Sequence, residues 1–275
     1  MTARAPFRVG LVQMVSTPSV AENLDAAGKL VAQAAGQGAK LVALPEYFCI
    51  LGARDTDKVA ARERDGSGPI QEFLSGTAKR LGVWIVGGSV PLECPDPGKV
   101  RNSCLVYDAE GRRVARYDKI HLFGLELGAE RFDEAKTIEA GSTPCAIESP
   151  FGRVALSVCY DVRFPELYRT LAPMDIILVP SAFTATTGAA HWETLLRARA
   201  IENLAWVLAP AQGGTHPNGR RTHGHSMVVD PWGKVVAERA SGPGVVVADV
   251  DPAFQEKMRR GLPALTHRVL QRRQS

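Results

Sequence analysis

Hydrophobic and polar positions along this chain change their period several times. Apolar residues alternate through "FRVGLVQM", Phe7 to Met14, the two-residue period of a half-buried strand, and β-formers dominate the stretch. Ser19 follows with Glu22 in the relation of a capping box, and Leu24, Ala27, Leu30, Val31 and Ala34 then recur at helical spacing. The short run "KLVAL" stops at Pro45-Glu46. Ile70, Phe73, Leu74 and Leu81 share one helical face, so the spacing predicts a helix over 69–81, before the strand "VWIVGG". This part of the chain is strand, helix, strand, helix, strand.

The middle changes character. "NSCLVYD", the turn Asp108 to Gly111 and "RVARYDK" predict a β-hairpin. "RVALSV" and "DIILVP" read as strands with a helix from Arg163 to Leu171 between them, and "HWETLLRARAIENL" as an amphipathic helix leading into "AWVLAPA". A last hairpin, "HSMVVDPWGKVVAE", turns at Pro-Trp-Gly, and "GVVVADV" follows it, so the chain is expected to close with strands. With no internal repeat and no long Gly/Pro-rich linker, residues 1–275 are expected to form a single α/β domain. Strand-helix-strand units mixed with hairpins argue for two mixed sheets packed face to face with helices outside.

Composition narrows the function classes. The 275 residues are 45% hydrophobic and 23% charged, enough to bury a substantial core and too apolar for long disorder. The net charge of +4 comes from 33 basic and 29 acidic residues dispersed along the chain, which leaves no footprint for nucleic acid. Only Arg259 to Arg273 is locally basic, as a solvated terminus would be. The five cysteines are odd in number and lack a CxxC pair, and neither a signal peptide nor a membrane-length apolar run is evident. Reduced thiols in a soluble, cytoplasmic protein are the expectation.

Three polar residues stand at the downstream ends of predicted strands: Glu46 after "KLVALP", Lys119 after "RVARYD" and Cys159 after "RVALSV". Ligands of α/β proteins bind in the crevice beyond the carboxyl ends of strands. A Glu, a Lys and a Cys meeting there make a workable acyl-transfer set. A thiol with a pKa of about 8.5 is mostly protonated near neutrality and gains from a base and a nearby cation. Glu46 could take the proton, Lys119 could favour the thiolate, and Lys119 with the backbone N–H of Tyr160 could stabilise an oxyanion. Plain alternatives stay open: cysteines are commonly inert core residues, and a Glu or Lys after a strand is commonly solvated. A cysteine redox sensor is a further reading, weakened by the lack of a nearby resolving thiol.

The wording around these residues is more specific. "ALPEYF", "YDKIHLF" and "CYDVRFPEL" resemble, in order, the three signature segments of the nitrilase superfamily, the carbon–nitrogen hydrolases with a Glu-Lys-Cys triad, and the similarity runs from "VGLVQM" to "LPALTHR". The resemblance implies a four-layer αββα sandwich, Glu46 as general base, Lys119 as oxyanion stabiliser, Cys159 as nucleophile, a thioester intermediate, no cofactor and a homo-oligomer, at least a dimer. It also implies a fourth acid: Glu134 in "RFDEAKTIEAG", with Glu130 and Glu126 as rivals. Gly124 stands where an Asp is commoner.

"PSAFTATTGAAHWETLLRARAIEN" and "THGHSMVVDPWGKVVAE" are similar to the branch that holds deaminated glutathione amidases and omega-amidases. That implies an amidase acting on a small anionic amide of an α-keto acid: deaminated glutathione first, with release of ammonia, and then α-ketoglutaramate or α-ketosuccinamate. Nitrilase and N-carbamoyl amidase activities are alternatives on the same triad, and a non-catalytic binding or regulatory protein is the alternative of another class. Arg163 is a candidate carboxylate partner, or else an internal salt bridge to Asp161 or Glu166. Tyr47, Phe183 and Thr187 are candidate substrate contacts, and Thr184 and His191 lie in the same loop region, where helix capping explains the threonines equally well. His223 and His225 form an H-x-H pair with no completing metal ligand, so a structural role is expected. Gly87-Gly88 reads as a strand-end turn.

Overall fold

The computed structural model describes residues 4–128 and 130–269; the end of the basic tail lies outside the described residues. The alternation at Phe7–Gln13 puts Val9 and Leu11 in the core between two sheets and Val12 on the opposite face, under the helices. The neighbouring Leu41–Ala43 strand does the same, with Leu41 and Ala43 inward and Val42 outward. Helices Val20–Gly36 and Pro69–Leu81 cover that outer face with Ala27, Val31, Ala34, Ile70, Leu74 and Ala78. Gly10 lets the first helix approach closely, because a Cβ there would lie 2.7 Å from that of Ala34.

The first sheet has seven strands in the order Gly244–Val250, Phe7–Gln13, Leu41–Ala43, Trp84–Val86, Arg101–Tyr107 and Val90–Leu92, with Arg113–Asp118 also pairing to Arg101–Tyr107. The second has six: Val235–Arg239, Ser226–Val229, Trp206–Ala209, Ile176–Leu178, Gly152–Leu156 and Cys145–Ser149. Each has parallel pairs at its centre and antiparallel pairs outside, as expected of mixed sheets. Val154, Leu156, Ile176, Leu178, Trp206 and Leu208 share one face of the second sheet and Ala155, Ile177, Val207 and Ala209 the other. Both sets join Val9, Leu11, Leu41 and Ala43 and Trp192, Leu196 and Ala200 of helix Ala185–Asn203 in one buried cluster. Each fully buried Leu or Val contributes about 1.5–3 kcal/mol to this packing.

Several expectations change in detail. Ser19 caps the first helix by accepting from the Glu22 N–H, but Glu22 bonds Thr17 instead of returning to Ser19, so only half of the capping box forms. The helix after Cys159 starts at Pro165, because Cys159–Arg163 is a separate 3-10 turn. The following helix starts at Ala185, ahead of His191, with Thr184 as its cap. The chain closes with a helix, Pro252–Gly261, and not with strands. Only Pro252 and Gln255 of it are buried; Phe254 packs edge-on against Trp206, and the other contacts that hold it are polar: Gln255 donates to the carbonyls of Asp175 and Leu204, and Arg259 pairs with Asp175. Apolar periodicity could not reveal such a helix. Asp251 as cap followed by Pro252 could have. The small hairpins Gly124–Leu127 with Glu130–Asp133 and Gly213–Thr215 with Arg221–His223 also escaped prediction.

Among the described residues no helix is long and apolar enough to cross a membrane.

Candidate active site

Glu46, Lys119 and Cys159 each follow a strand of the two facing sheets, and the crevice between those strand ends brings them together. The chain at Glu46 turns sharply: Tyr47 has φ +57°, and Gly88 lies so close beneath that a Cβ there would meet the Pro45 carbonyl oxygen at 2.0 Å. Cys159 also has a left-handed backbone, φ +52°, which costs a non-glycine residue about 1–3 kcal/mol. The neighbouring segments hold it there. Its N–H donates to the Pro180 carbonyl at 2.8 Å. The buried Asp161 carboxylate accepts from the Val158 N–H at 2.9 Å, the Tyr117 hydroxyl at 2.7 Å and the His121 N–H at 3.0 Å, with His121 Nδ1 2.7 Å away. Asp161 is therefore a clamp on the turn that carries Cys159. Its signal in the sequence was only an acidic residue inside an apolar stretch.

Lys119 is the centre of a buried ion cluster. Its Nζ lies 2.9 Å from Glu46 Oε1 and 2.8 Å from Glu134 Oε2, and the Lys119 and Glu46 side chains are 0% and 1% exposed. Glu134 also accepts from the Tyr47 hydroxyl at 2.7 Å and the Phe123 N–H at 2.7 Å, and Glu46 accepts from Asn102 Nδ2 at 3.0 Å. Of the three candidate acids the geometry brings in Glu134. Glu126 pairs with Arg131 on the exposed hairpin, and Glu130 lines an outer cleft and not the pocket at Cys159. Asn102 and Phe123 were not singled out by sequence reasoning; a polar residue in the apolar run "NSCLVYD" was the one available hint.

The protonation states follow from this packing. Burial opposes the charge on Lys119, but Glu134 and Glu46 outweigh it and hold its pKa above the ordinary lysine value. Burial likewise opposes the Glu134 carboxylate, and Lys119, the Phe123 N–H and Tyr47 outweigh it and hold its pKa low. The Cys159 thiol goes the other way. Burial and the Glu46 charge push its pKa well above 9.0, against the smaller pull of Lys119. The expectation that Lys119 would favour the thiolate is thus right in sign but overruled, and the resting thiol is protonated.

A narrow pocket opens onto Cys159. Glu46, Glu134, Tyr160, Arg163, Phe183 and Thr187 line it, so these expected residues do converge. Tyr47 does not line it; its hydroxyl is committed to Glu134. Thr187 is the partner of the helix cap Thr184, with its N–H donating to Thr184 Oγ1 at 3.2 Å. Arg163 lies 3.2 Å from His191 Nδ1, and its guanidinium sits over the rings of Tyr160 and Phe183 at 5.6 and 5.3 Å. The alternative ion pair with Asp161 is not formed, since Asp161 is turned inward to its own donors. Arg220 reaches the same pocket from the loop before the Arg221–His223 strand, a position that no periodicity marks.

The H-x-H pair lies apart from this cluster. Its rings stack at 4.3 Å, and His225 Nδ1 contacts Glu238. Among the described residues no group of three or more His, Cys, Asp or Glu could hold a metal ion.

Comparisons with known proteins agree with the geometry. The family model for carbon–nitrogen hydrolases matches residues 8–260. A deaminated glutathione amidase from Synechocystis sp. is 41% identical over 270 residues, 96% of this chain and 98% of that protein. Omega-amidase NIT2 of Xenopus tropicalis is 37% identical over 262 residues, 94% of each chain. The crystal structure of the C. elegans NitFhit protein has a TM-score of 0.89 and 36% identity, covering 98% of this chain and 66% of that longer one.

Proposed function

The chain belongs to the carbon–nitrogen hydrolase family and is an amidase, and from that premise we propose that it hydrolyses deaminated glutathione with Cys159 as nucleophile, Glu46 as base, and Lys119 and Glu134 completing the set. The observation that carries the reading is the single buried cluster in which Lys119 bonds both carboxylates beside the pocket that opens onto Cys159.

A protonated thiol is a weak nucleophile, so its proton must leave as the bond to carbon forms. Glu46, in the same pocket, takes it. The Sγ–C bond forms, the carbonyl electrons move onto oxygen, and that oxygen is met by the ammonium of Lys119, which has three donors and uses two of them on Glu46 and Glu134. The Tyr160 N–H is the second donor. The C–N bond then breaks, Glu46 returns its proton to the departing nitrogen, and a Cys159 thioester remains. Water attacks the thioester with Glu46 again as base, and the proton returns to the thiolate as the acid leaves. Glu134 holds Lys119 charged and oriented throughout. The leaving group follows the substrate: a primary ω-amide releases ammonia, but the scissile nitrogen of deaminated glutathione belongs to cysteinylglycine, so the expected release of ammonia from it is corrected to release of that dipeptide. Arg163, stacked over Tyr160 and Phe183, is placed for the α-keto acid carboxylate.

Cys159→Ala and Glu46→Gln should each reduce turnover by at least about a hundredfold while the folded far-UV spectrum is kept. The assay follows cysteinylglycine from deaminated glutathione and ammonia from α-ketoglutaramate, with a nitrile and an N-carbamoyl amine alongside. Intact-mass measurement of a quenched reaction should find the acyl group on Cys159. Near-normal turnover by the Ala variant would refute the mechanism, and hydrolysis confined to the nitrile or the carbamoyl amine would refute the substrate.

A further inference from the structure

The pocket at Cys159 is tight, with about 10 Å³ of free volume, the space of about one water molecule, so a substrate extends beyond it. Next to it lies an open cleft of about 430 Å³, within the range of ordinary small-molecule sites. Arg220 lines both, and Tyr47, whose hydroxyl holds Glu134, stands in the cleft wall. The cleft is therefore the continuation of the reaction site on its outward side, and the triad uses none of its charged groups.

Those charges are unevenly partnered. Arg54 and Arg131 line the cleft but already pair with Asp57 and Glu126. Lys58, Arg220 and the exposed Arg221 have no salt bridge among the described residues, and of these only Lys58 and Arg220 are partly buried. Lys58 donates to the Thr137 hydroxyl at 3.2 Å and lies over the Tyr47 ring. Arg220 donates one Nη2 bond, to the Ala182 carbonyl at 3.0 Å, while its buried Nε has no hydrogen-bond partner at all. A buried guanidinium N–H without an acceptor is uncommon, because leaving it unmade is costly. Asp55 and Glu130 stand in the same wall, so the cleft is mixed in sign rather than uniformly basic. Burial depresses the Lys58 pKa, partly opposed by Glu134 and Asp55, and Arg220 depresses it further. Two neighbouring cations thus lack the anion that would suit both.

We propose that Arg220 and Lys58 anchor a carboxylate carried by the leaving amine, so that the enzyme favours amides whose amine part is a short peptide with a free C-terminus over primary amides. This rests on the reading that deaminated glutathione is the substrate. Its scissile amide meets Cys159 at the narrow pocket with the α-keto acid end directed towards Arg163, and its cysteinylglycine end, about 7 Å long when extended, runs out along the cleft. Arg220 at the junction reads where the one ends and the other begins. Primary ω-amides place nothing in the cleft and gain nothing from it.

The test pairs a change in the substrate with a change in the protein. Deaminated glutathione and its C-terminal carboxamide differ only in the charge that the anchor would recognise. Wild-type enzyme should prefer the acid by at least about tenfold in kcat/KM, the scale of a charged hydrogen bond. Arg220→Gln and Lys58→Gln should each bring that ratio down towards one; the Lys58 variant stands in if the buried arginine is needed for folding. Equal use of acid and carboxamide by the wild type, or variants that keep the wild-type ratio, would overturn the anchor and leave the amidase reading intact. Failure on both deaminated glutathione forms with α-ketoglutaramate still hydrolysed would overturn the substrate reading and the anchor with it.

Discussion

At the scale of single residues, the site is governed by where charge is tolerated. Two carboxylates share one ammonium in a buried cluster, which therefore carries an excess negative charge next to the Cys159 thiol. Burial first and that excess second keep the thiol protonated, so Glu46 serves two opposed purposes: it is the base that catalysis needs and a charge that disfavours a free thiolate. The two can be separated by experiment. In Glu46→Gln the repulsion is gone while Lys119 stays, so the Cys159 pKa falls, and each unit of fall raises the thiolate fraction about tenfold. Iodoacetamide should therefore alkylate Cys159 faster in this variant at pH 8, by at least about threefold, even though turnover is lost. Slower alkylation would mean that Glu46 also assists that reaction as a base, and the electrostatic account would fail. Sequence reasoning reached Glu46, Lys119, Cys159 and Glu134 through the wording of short segments. It did not reach Asn102 or Arg220 and named Asp161 only as a possible partner of Arg163, because a hydrogen bond across the fold leaves no periodic trace in the chain.

At the scale of elements, legibility followed apolar periodicity. The Pro69–Leu81 helix buries one regular face and was readable from it, and the Arg101–Tyr107 with Arg113–Asp118 hairpin, whose first strand is buried on both faces, was readable from two β-rich runs about the Asp108 to Gly111 turn. The Gly213–Thr215 with Arg221–His223 hairpin is short and mostly polar, and was not. Yet it carries the loop with Arg220, and one close contact fixes it. His223 donates its N–H to the Phe183 carbonyl at 2.9 Å, and its side chain lies against Gly188 of the Ala185–Asn203 helix, where a Cβ would come within 2.3 Å of His223 Cβ. Gly188→Ala should gain about 1 kcal/mol in helix propensity and lose about 1–3 kcal/mol to the clash, since a Cβ cannot swing aside. A lower Tm, together with a raised KM as the Arg220 loop shifts, is the expected result. A higher Tm would show that the hairpin does not bear on the helix.

At the scale of the molecule, a sandwich of two sheets could be held by apolar contact alone, but these two also meet at a polar seam beside the site. Gln212, 0% exposed and just beyond the Trp206–Ala209 strand of the second sheet, accepts from the Ser16 N–H at 3.1 Å and donates to the Ser16 hydroxyl at 2.7 Å and the Glu46 carbonyl at 3.1 Å. It therefore ties the loop that carries Glu46 to the sheet that carries Cys159, so the geometry of the reaction depends on the two halves being locked together. In Gln212→Leu, the Ser16 N–H and the Glu46 carbonyl are left buried without partners, which should cost about 2–4 kcal/mol. The urea midpoint should fall with the slope unchanged. Leu74→Ala, in the outer layer, should cost a similar 2–5 kcal/mol or so through its cavity. The two variants should differ in catalysis: at a temperature where both are folded, Leu74→Ala keeps its kcat, and Gln212→Leu loses at least about tenfold, because small misplacements of reacting groups are amplified in rate. Equal kcat in the two would mean that Glu46 is positioned by its own sheet alone and that the seam serves stability only.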